Sequence, residues 1–255
     1  MEKNKNVTII LGSNSFLGRE IIKDKEKKYL TGSSSSKKSN FRFRIGDDLD
    51  QILPKNIKIE KIIYLSWDRR NKIKNGENLN IVGLRKVIKF TNKYKIPIYF
   101  ASSFSAISRK NNYGNLKYRA ENLLKLNKKN KIFRIAMIYH RKGGLIFKIN
   151  KIFKNLPFVL LPNGGNFMIN TVKLSSVVKA FNKKYKNDGK IIYVFDKTNQ
   201  KFKELLNYKN KLIIPVPVFL IKSLLYVPYM LKIQNSSFNY DGFLSLINDP
   251  KKIVI

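Results

Sequence analysis

The chain has 255 residues, enough for one α/β domain with a small appended lobe or at most two small domains, and its 43% hydrophobic content allows a sizeable core. It contains no cysteine, which excludes disulfides and cysteine-based zinc sites and fits a reducing, cytoplasmic setting. The net charge of +36, from 52 basic and 16 acidic residues, invites an anionic partner, nucleic acid or membrane surface. The lysines, however, recur beside asparagine and isoleucine along the whole chain (KNKN, NKKNK, NKKYKND) and cluster in no single element or tail. That spread reads as residue-usage bias, and no specific nucleic-acid partner is expected.

Taken in order, residues 7–11 (VTIIL) are apolar and β-branched and read as a first strand, not as a signal peptide. A tight turn, Gly12 to Gly18, leads into a helix over about 17–27. KYLTG (28–32) is a second strand, Ser33–Ser36 a loop, FRFRI (41–45) a third strand and DDLDQIL a helical turn. KIIYLSW (61–67) is a fourth strand. Leu79, Val82, Val87 and Phe90 lie near helical spacing in a helix over about 77–94. A fifth strand at 96–103, a helix at about 113–128 and a sixth strand at 131–139 follow. This alternation predicts a Rossmann-type, doubly wound parallel sheet covered by helices on both faces. The dinucleotide-binding domain spans 1–142, with its sheet completed by 171–197, and residues 143–255 form a small substrate lobe. Residues 212–231 approach a bilayer-spanning length, but Lys222 and three prolines interrupt them; they predict a buried or surface-docked helix after a Pro-rich turn.

Three motifs carry chemistry. Gly12-Ser13-Asn14-Ser15-Phe16-Leu17-Gly18 lies between a strand and a helix, where Gly12 permits a sharp turn, backbone N–H groups can approach a pyrophosphate and Gly18 lets helix and strand pack closely. Ser15 replaces the usual middle glycine; it is small, and its hydroxyl can donate to a phosphate. The end of the second strand offers Ser33 and Lys37 and no acid, which suits a 2′-phosphate and favours NADP over NAD. Tyr113 and Lys117 share a helix face, so that the ammonium can favour the phenolate and the tyrosine can exchange a proton near neutral pH. Tyr193 and Lys197 have the same spacing but fall in a predicted strand. Tyr113 instead follows a strand ending in Ser102-Ser103, either of which could hydrogen-bond a reacting oxygen. His140 is the only histidine, so no triad or His-based metal site can be assembled, and no metal is expected.

At these residues the chain resembles the extended and atypical short-chain dehydrogenase/reductase superfamily, the NAD-dependent epimerase/dehydratase family. The resemblance runs from about 7 to 185 through VTIILGSNSFLG, IIYLSW, NLNIVGLRKVI, IPIYFASSFSAI, YGNLKYRAE, IFRIAMIY and NTVKLSSVVKAF, with Ser176 where an aspartate is usual and His140 where a glycine often stands. It implies Ser103 as the substrate-orienting serine, Tyr113 as the general acid/base, and Lys117 as the residue that binds the nicotinamide ribose and tunes Tyr113. It also implies Asp47 against adenine, Leu65 and Ser66 lining the cofactor, and Asn80 as a supporting polar residue. The implied substrate is a nucleotide-linked sugar, in the synthesis of surface polysaccharide, and the implied assembly is a homodimer. A non-catalytic NAD(P)-binding protein is the second reading. The third is a basic protein that binds a membrane or nucleic acid, with peripheral membrane contact as its mildest form.

Overall fold

The computed structural model describes residues 6–24, 28–35, 39–70, 72–140, 143–206, 211–231 and 239–250. Its elements, in chain order, begin with β1 (Val7–Leu11), α1 (Phe16–Ile21), β2 (Tyr29–Ser33), β3 (Phe41–Arg42), α2 (Leu49–Ile52), β4 (Ile59–Tyr64) and the short hairpin β5 (Ile73–Lys74) and β6 (Glu77–Asn78). They continue with α3 (Leu79–Lys93), β7 (Ile98–Ser103), α4 (Ser105–Ser108), α5 (Asn112–Lys125), β8 (Lys131–Ile135) and β9 (Met137–Tyr139). Seven strands form one parallel sheet in the order β12-β8-β7-β4-β1-β2-β3, the far edge being β12 (Ile191–Val194).

Alternate residues of the central strands explain why both faces need covering. Ile9, Leu11, Ile62, Tyr64, Ile98 and Phe100 bury against Leu84, Val87 and Phe90 of α3 and Leu116, Ala120 and Leu124 of α5. Ile10, Ile63, Tyr99 and Phe133 bury on the other face against Leu17 and Ile21 of α1 and Leu174, Val177 and Phe181 of α7 (Leu174–Asn182). The lysine-rich sequence reaches even into these strands. Lys61 and Lys131 are buried, and their ammonium groups donate to the carbonyls of Phe181 and Lys186.

Several expected strand bounds move because a strand ends where its neighbours end. The single strand expected at 131–139 divides at Ala136, because β7 stops at Ser103 and β12 at Val194, both opposite Ile135. Beyond that point β9 pairs with β11 (Met168–Lys173) in a separate sheet that also holds β13 (Lys197–Lys201). FRFRI pairs only at Phe41 and Arg42, since β2 ends at Ser33. The fourth strand ends at Tyr64, three residues early, and Leu65 to Trp67 become cavity wall. The first helix closes at Ile21, not near residue 27.

The remaining lobe holds α6 (Gly144–Ile152), β10 (Phe158–Pro162), β14 (Leu212–Val216), α8 (Val218–Met230) and α9 (Tyr240–Ile247). The apolar stretch 212–231 is therefore a strand paired in parallel with β10, then a helix. No described helix is long and apolar enough to cross a membrane.

Candidate active site

The carboxyl ends of β1, β4, β7 and β8 open on a cavity of about 1660 Å³. Its floor begins at the turn after β1. Gly12 has φ +90°, and a Cβ there would lie 2.8 Å from the amide nitrogen of Ser66 and 2.9 Å from its Oγ, so only glycine fits against the end of β4. A Cβ on Gly18 would lie 2.6 Å from the carbonyl oxygen of Ser13, so this glycine sets how closely α1 approaches β1. Ser15, where a glycine is usual, has φ −65° and ψ 161°, an extended conformation open to any residue. Its Oγ caps α1 by accepting from Gly18 N–H at 3.0 Å, which leaves the hydroxyl hydrogen free to donate. Ser15, Phe16 and Leu17 line the cavity, and the last two are the first residues of α1, whose N–H groups have no carbonyl partner within the helix.

On the opposite wall, Ser103, Tyr113 and Lys117 come together as their order in the chain suggests. Burial pushes the Tyr113 phenol above its usual value, while the positive charge of Arg69 and a hydrogen bond with Ser103 act to lower it. Arg69 stands 5.7 Å from the centroid of the Tyr113 ring. Lys117 is buried; its Nζ donates to the carbonyl of Ala101 at 2.7 Å and lies 3.7 Å from the centroid of Trp67. Burial holds this ammonium well below the usual lysine value, nearby Arg69 adds to the effect and Glu121 opposes it. Trp67 in turn meets Tyr113 edge-on at 6.2 Å. Lys117 Nζ lies 5.8 Å from the centroid of the Tyr113 ring, so two cations flank the phenol, and Arg69, three residues beyond Ser66, is the one that the sequence reading missed.

Ser102 and Ser103 have different duties. Ser102 Oγ donates to Glu121 at 2.5 Å, inside a buried network in which Arg134 binds both oxygens of Glu121 (2.7 Å for the shortest contact) and donates to the Tyr193 hydroxyl at 3.0 Å. Ser103 Oγ, on the cavity side, meets the Ser105 hydroxyl at 3.3 Å and accepts from Ser105 N–H at 3.2 Å. Asn80 clamps the loop that carries Arg69: its Oδ1 accepts from Asp68 N–H at 2.7 Å and its Nδ2 donates to Asp68 O at 2.8 Å.

The other expected residues divide. Leu65, Ser66 and Ser33 line the cavity. Ser33 Oγ accepts from Asn14 Nδ2 at 2.8 Å, and Phe43 N–H donates to Ser33 O at 2.8 Å, which brings the cavity-lining Arg44 beside the end of β2. Lys37 lies outside the described residues. Asp47 is not among the lining residues; its carboxylate turns back on its own loop and accepts from Arg44 N–H at 2.6 Å. His140 packs 5.6 Å from the Phe16 ring and is likewise absent from the lining. The far wall comes from α9 and its flanks, with Asn239, Asp241, Ser245 and Asp249, none of which the sequence singled out. A hydrogen bond from Asn111, the N-cap of α5, to Ser245 (3.1 Å) ties this helix beside Tyr113.

No family model and no curated protein matches the chain. Solved structures do. The UDP-N-acetylglucosamine 4-epimerase from Bacillus cereus superposes with a TM-score of 0.66 at 17% identity, over 84% of this chain and 87% of that one. The chain shares the Rossmann-type fold of that epimerase. The dTDP-4-dehydrorhamnose reductase from Bacillus anthracis, solved with NADP, gives 0.66 at 16% identity over 85% and 86% of the two chains. The dTDP-glucose 4,6-dehydratase from Bacillus anthracis, solved with NAD, gives 0.65 at 10% identity over 95% of each.

Proposed function

We propose that this protein is an NAD(P)-dependent enzyme acting on a nucleotide-linked sugar, as an epimerase, dehydratase or reductase. The observation that carries this reading is the placement of Tyr113, flanked by Arg69, with Ser103 in the same cavity as the Gly12 turn. The residues fit a dinucleotide: Gly12 lets the turn after β1 close against Ser66 where any Cβ would collide, and Ser15, Phe16 and Leu17 present donors on the cavity side of that turn. Ser33, Ser34 and Arg44 stand at the ribose end without a carboxylate, which favours a 2′-phosphate and hence NADP.

A bound nicotinamide would accept or supply the hydride at the substrate carbon. The protein's part is the proton. Ser103 Oγ holds the substrate oxygen, and Tyr113 Oη takes its proton as the carbonyl forms or returns it as the hydroxyl is restored. Arg69 favours the phenolate that the first of these directions needs. Lys117, held between Ala101 O and the Trp67 ring, fixes the wall against which the tyrosine is set.

The test is titration of wild type and Tyr113→Phe with NADPH and NADH, followed by nicotinamide fluorescence, and then turnover with a panel of nucleotide sugars. Both proteins should bind, NADPH the tighter, and only wild type should turn over. If neither nucleotide binds either protein, the reading fails. A second reading, a non-catalytic NAD(P)-binding protein, draws on Lys117, whose ammonium is covered by Trp67 and bonded to Ala101. It expects binding by both proteins and turnover by neither.

A further inference from the structure

An ordinary surface helix turns an apolar stripe inward and a polar face to water. Helix α8 does not. None of its residues is buried, and those exposed include Phe219 (65%), Leu220, Leu224 (75%), Val227 and Met230. At 3.6 residues per turn these fall, with Ser223 and Tyr226, on one arc of about half the circumference. The other half, with Val218, Ile221, Leu225 and Tyr229, is only half-buried. The helix is anchored to α9 through edge-on and tilted rings: Tyr226 and Tyr229 lie 5.4 and 5.1 Å from Tyr240. The preceding strand continues the exposed apolar surface with Leu212 and Ile214, and Leu160 of β10 pairs with Ile214. Lys211 ties this strand to the end of α6 by donating to the carbonyls of Lys154 and Leu156, beside exposed Ile152 and Leu156.

The two segments that form this surface carry charge of one sign, while Asp241 of α9 stands close to Tyr229. Residues 143–170 and 211–231 contain Lys148, Lys151, Lys154, Lys211 and Lys222 and no Asp or Glu. We propose that α8 and its flanking strand dock on an anionic bilayer surface, with the apolar arc in the boundary between headgroups and acyl chains and Lys154 and Lys222 on the headgroups, since Lys211 is bonded to carbonyls and Lys148 and Lys151 line the cavity. The charge decides between the two coverings such a face could take. A second copy in an isologous contact would bring the same lysines against one another, on a chain that already carries +36. An anionic leaflet offers the complementary sign and an apolar layer beneath it. At 1.5 Å per residue the 13-residue helix is about 20 Å long, short of the roughly 30 Å hydrocarbon core, so it lies in the surface and does not span it. Since α9 both anchors α8 and supplies Asn239, Asp241 and Ser245 to the cavity, docking sets the far wall of the site about one helix diameter from the lipid.

The test is flotation of the full chain with vesicles of two parts phosphatidylcholine to one part phosphatidylglycerol, and with phosphatidylcholine alone, for wild type and the double variant Phe219→Glu, Leu224→Glu. Both side chains are exposed, so the variant should keep the circular dichroism spectrum and melting temperature of wild type. Wild type should float with the anionic vesicles and the variant should bind about tenfold less or worse. Raising NaCl from about 0.1 M to about 1 M, which shortens the screening length from about 10 Å to about 3 Å, should weaken wild-type binding. Equal flotation of both proteins would mean that surface lysines suffice and would overturn the role of α8. So would absence of wild-type flotation, and so would a wild-type dimer that the double substitution splits, since a second copy would then be what covers the face.

Discussion

Asp249 offers a prediction whose size and sign follow from the structure. Its Oδ2 accepts from both the backbone N–H and the side-chain amide of Asn170, at 2.6 and 2.5 Å, yet burial pushes its carboxyl up to about 6 against those bonds. An unfolded chain would hold this group near 3.9. The folded protein therefore binds the proton more tightly, and between about pH 4 and pH 6 it holds more protons than the unfolded state. Stability contributed by the protonated form is fully present below about pH 4 and is lost as pH rises through about 6, a change on the order of 3 kcal/mol. Asp249→Asn keeps an oxygen where Oδ2 accepts both Asn170 donors and carries no charge. Urea unfolding of the two proteins at about pH 5 and about pH 7.5 isolates the effect, since every other titrating group cancels in the difference. The asparagine variant should gain on wild type by about 1.4 kcal/mol between these two pH values, roughly half of the full effect, because the rest is already lost between about pH 4 and pH 5. Parallel pH dependences would refute the view that Asp249 is held out of water as a carboxylate.

Gly12→Ala forces a Cβ into left-handed backbone 2.8 Å from Ser66 N, which should cost about 1–3 kcal/mol and abolish nucleotide binding as followed by fluorescence titration. Glu121→Ala leaves the Arg134 guanidinium buried without its carboxylate and frees Ser102; chemical denaturation should show a loss of about 3–5 kcal/mol. Tyr64→Phe should be neutral or stabilising in the same assay, because the Tyr64 hydroxyl is wholly buried with no hydrogen-bond partner among the described residues. Arg69→Ala should move the Tyr113 phenol further above its ordinary value, so that any rate limited by phenolate rises only at higher pH than in wild type.

Local pattern alone determined a good deal of this protein. Apolar β-branched runs at fixed intervals are enough to define strands buried on both faces, and glycines at 12 and 18 bracket a turn that no other residue would allow. Ser103, Tyr113 and Lys117 were legible because a strand end and the following helix bring them together whatever the rest of the chain does. What only the tertiary structure decided depends on contacts between distant segments. The break of one expected strand at Ala136 follows from where β7 and β12 happen to end, which no property of residues 131–139 encodes. The different duties of Ser102 and Ser103 depend on Glu121 and Arg134, and the pairing of Asp249 with Asn170 joins positions 79 residues apart. The apolar stretch 212–231 reads from sequence as a buried or surface-docked helix, because hydrophobicity records what a segment avoids; that α8 keeps an exposed face depends on which surfaces the fold had left to cover it.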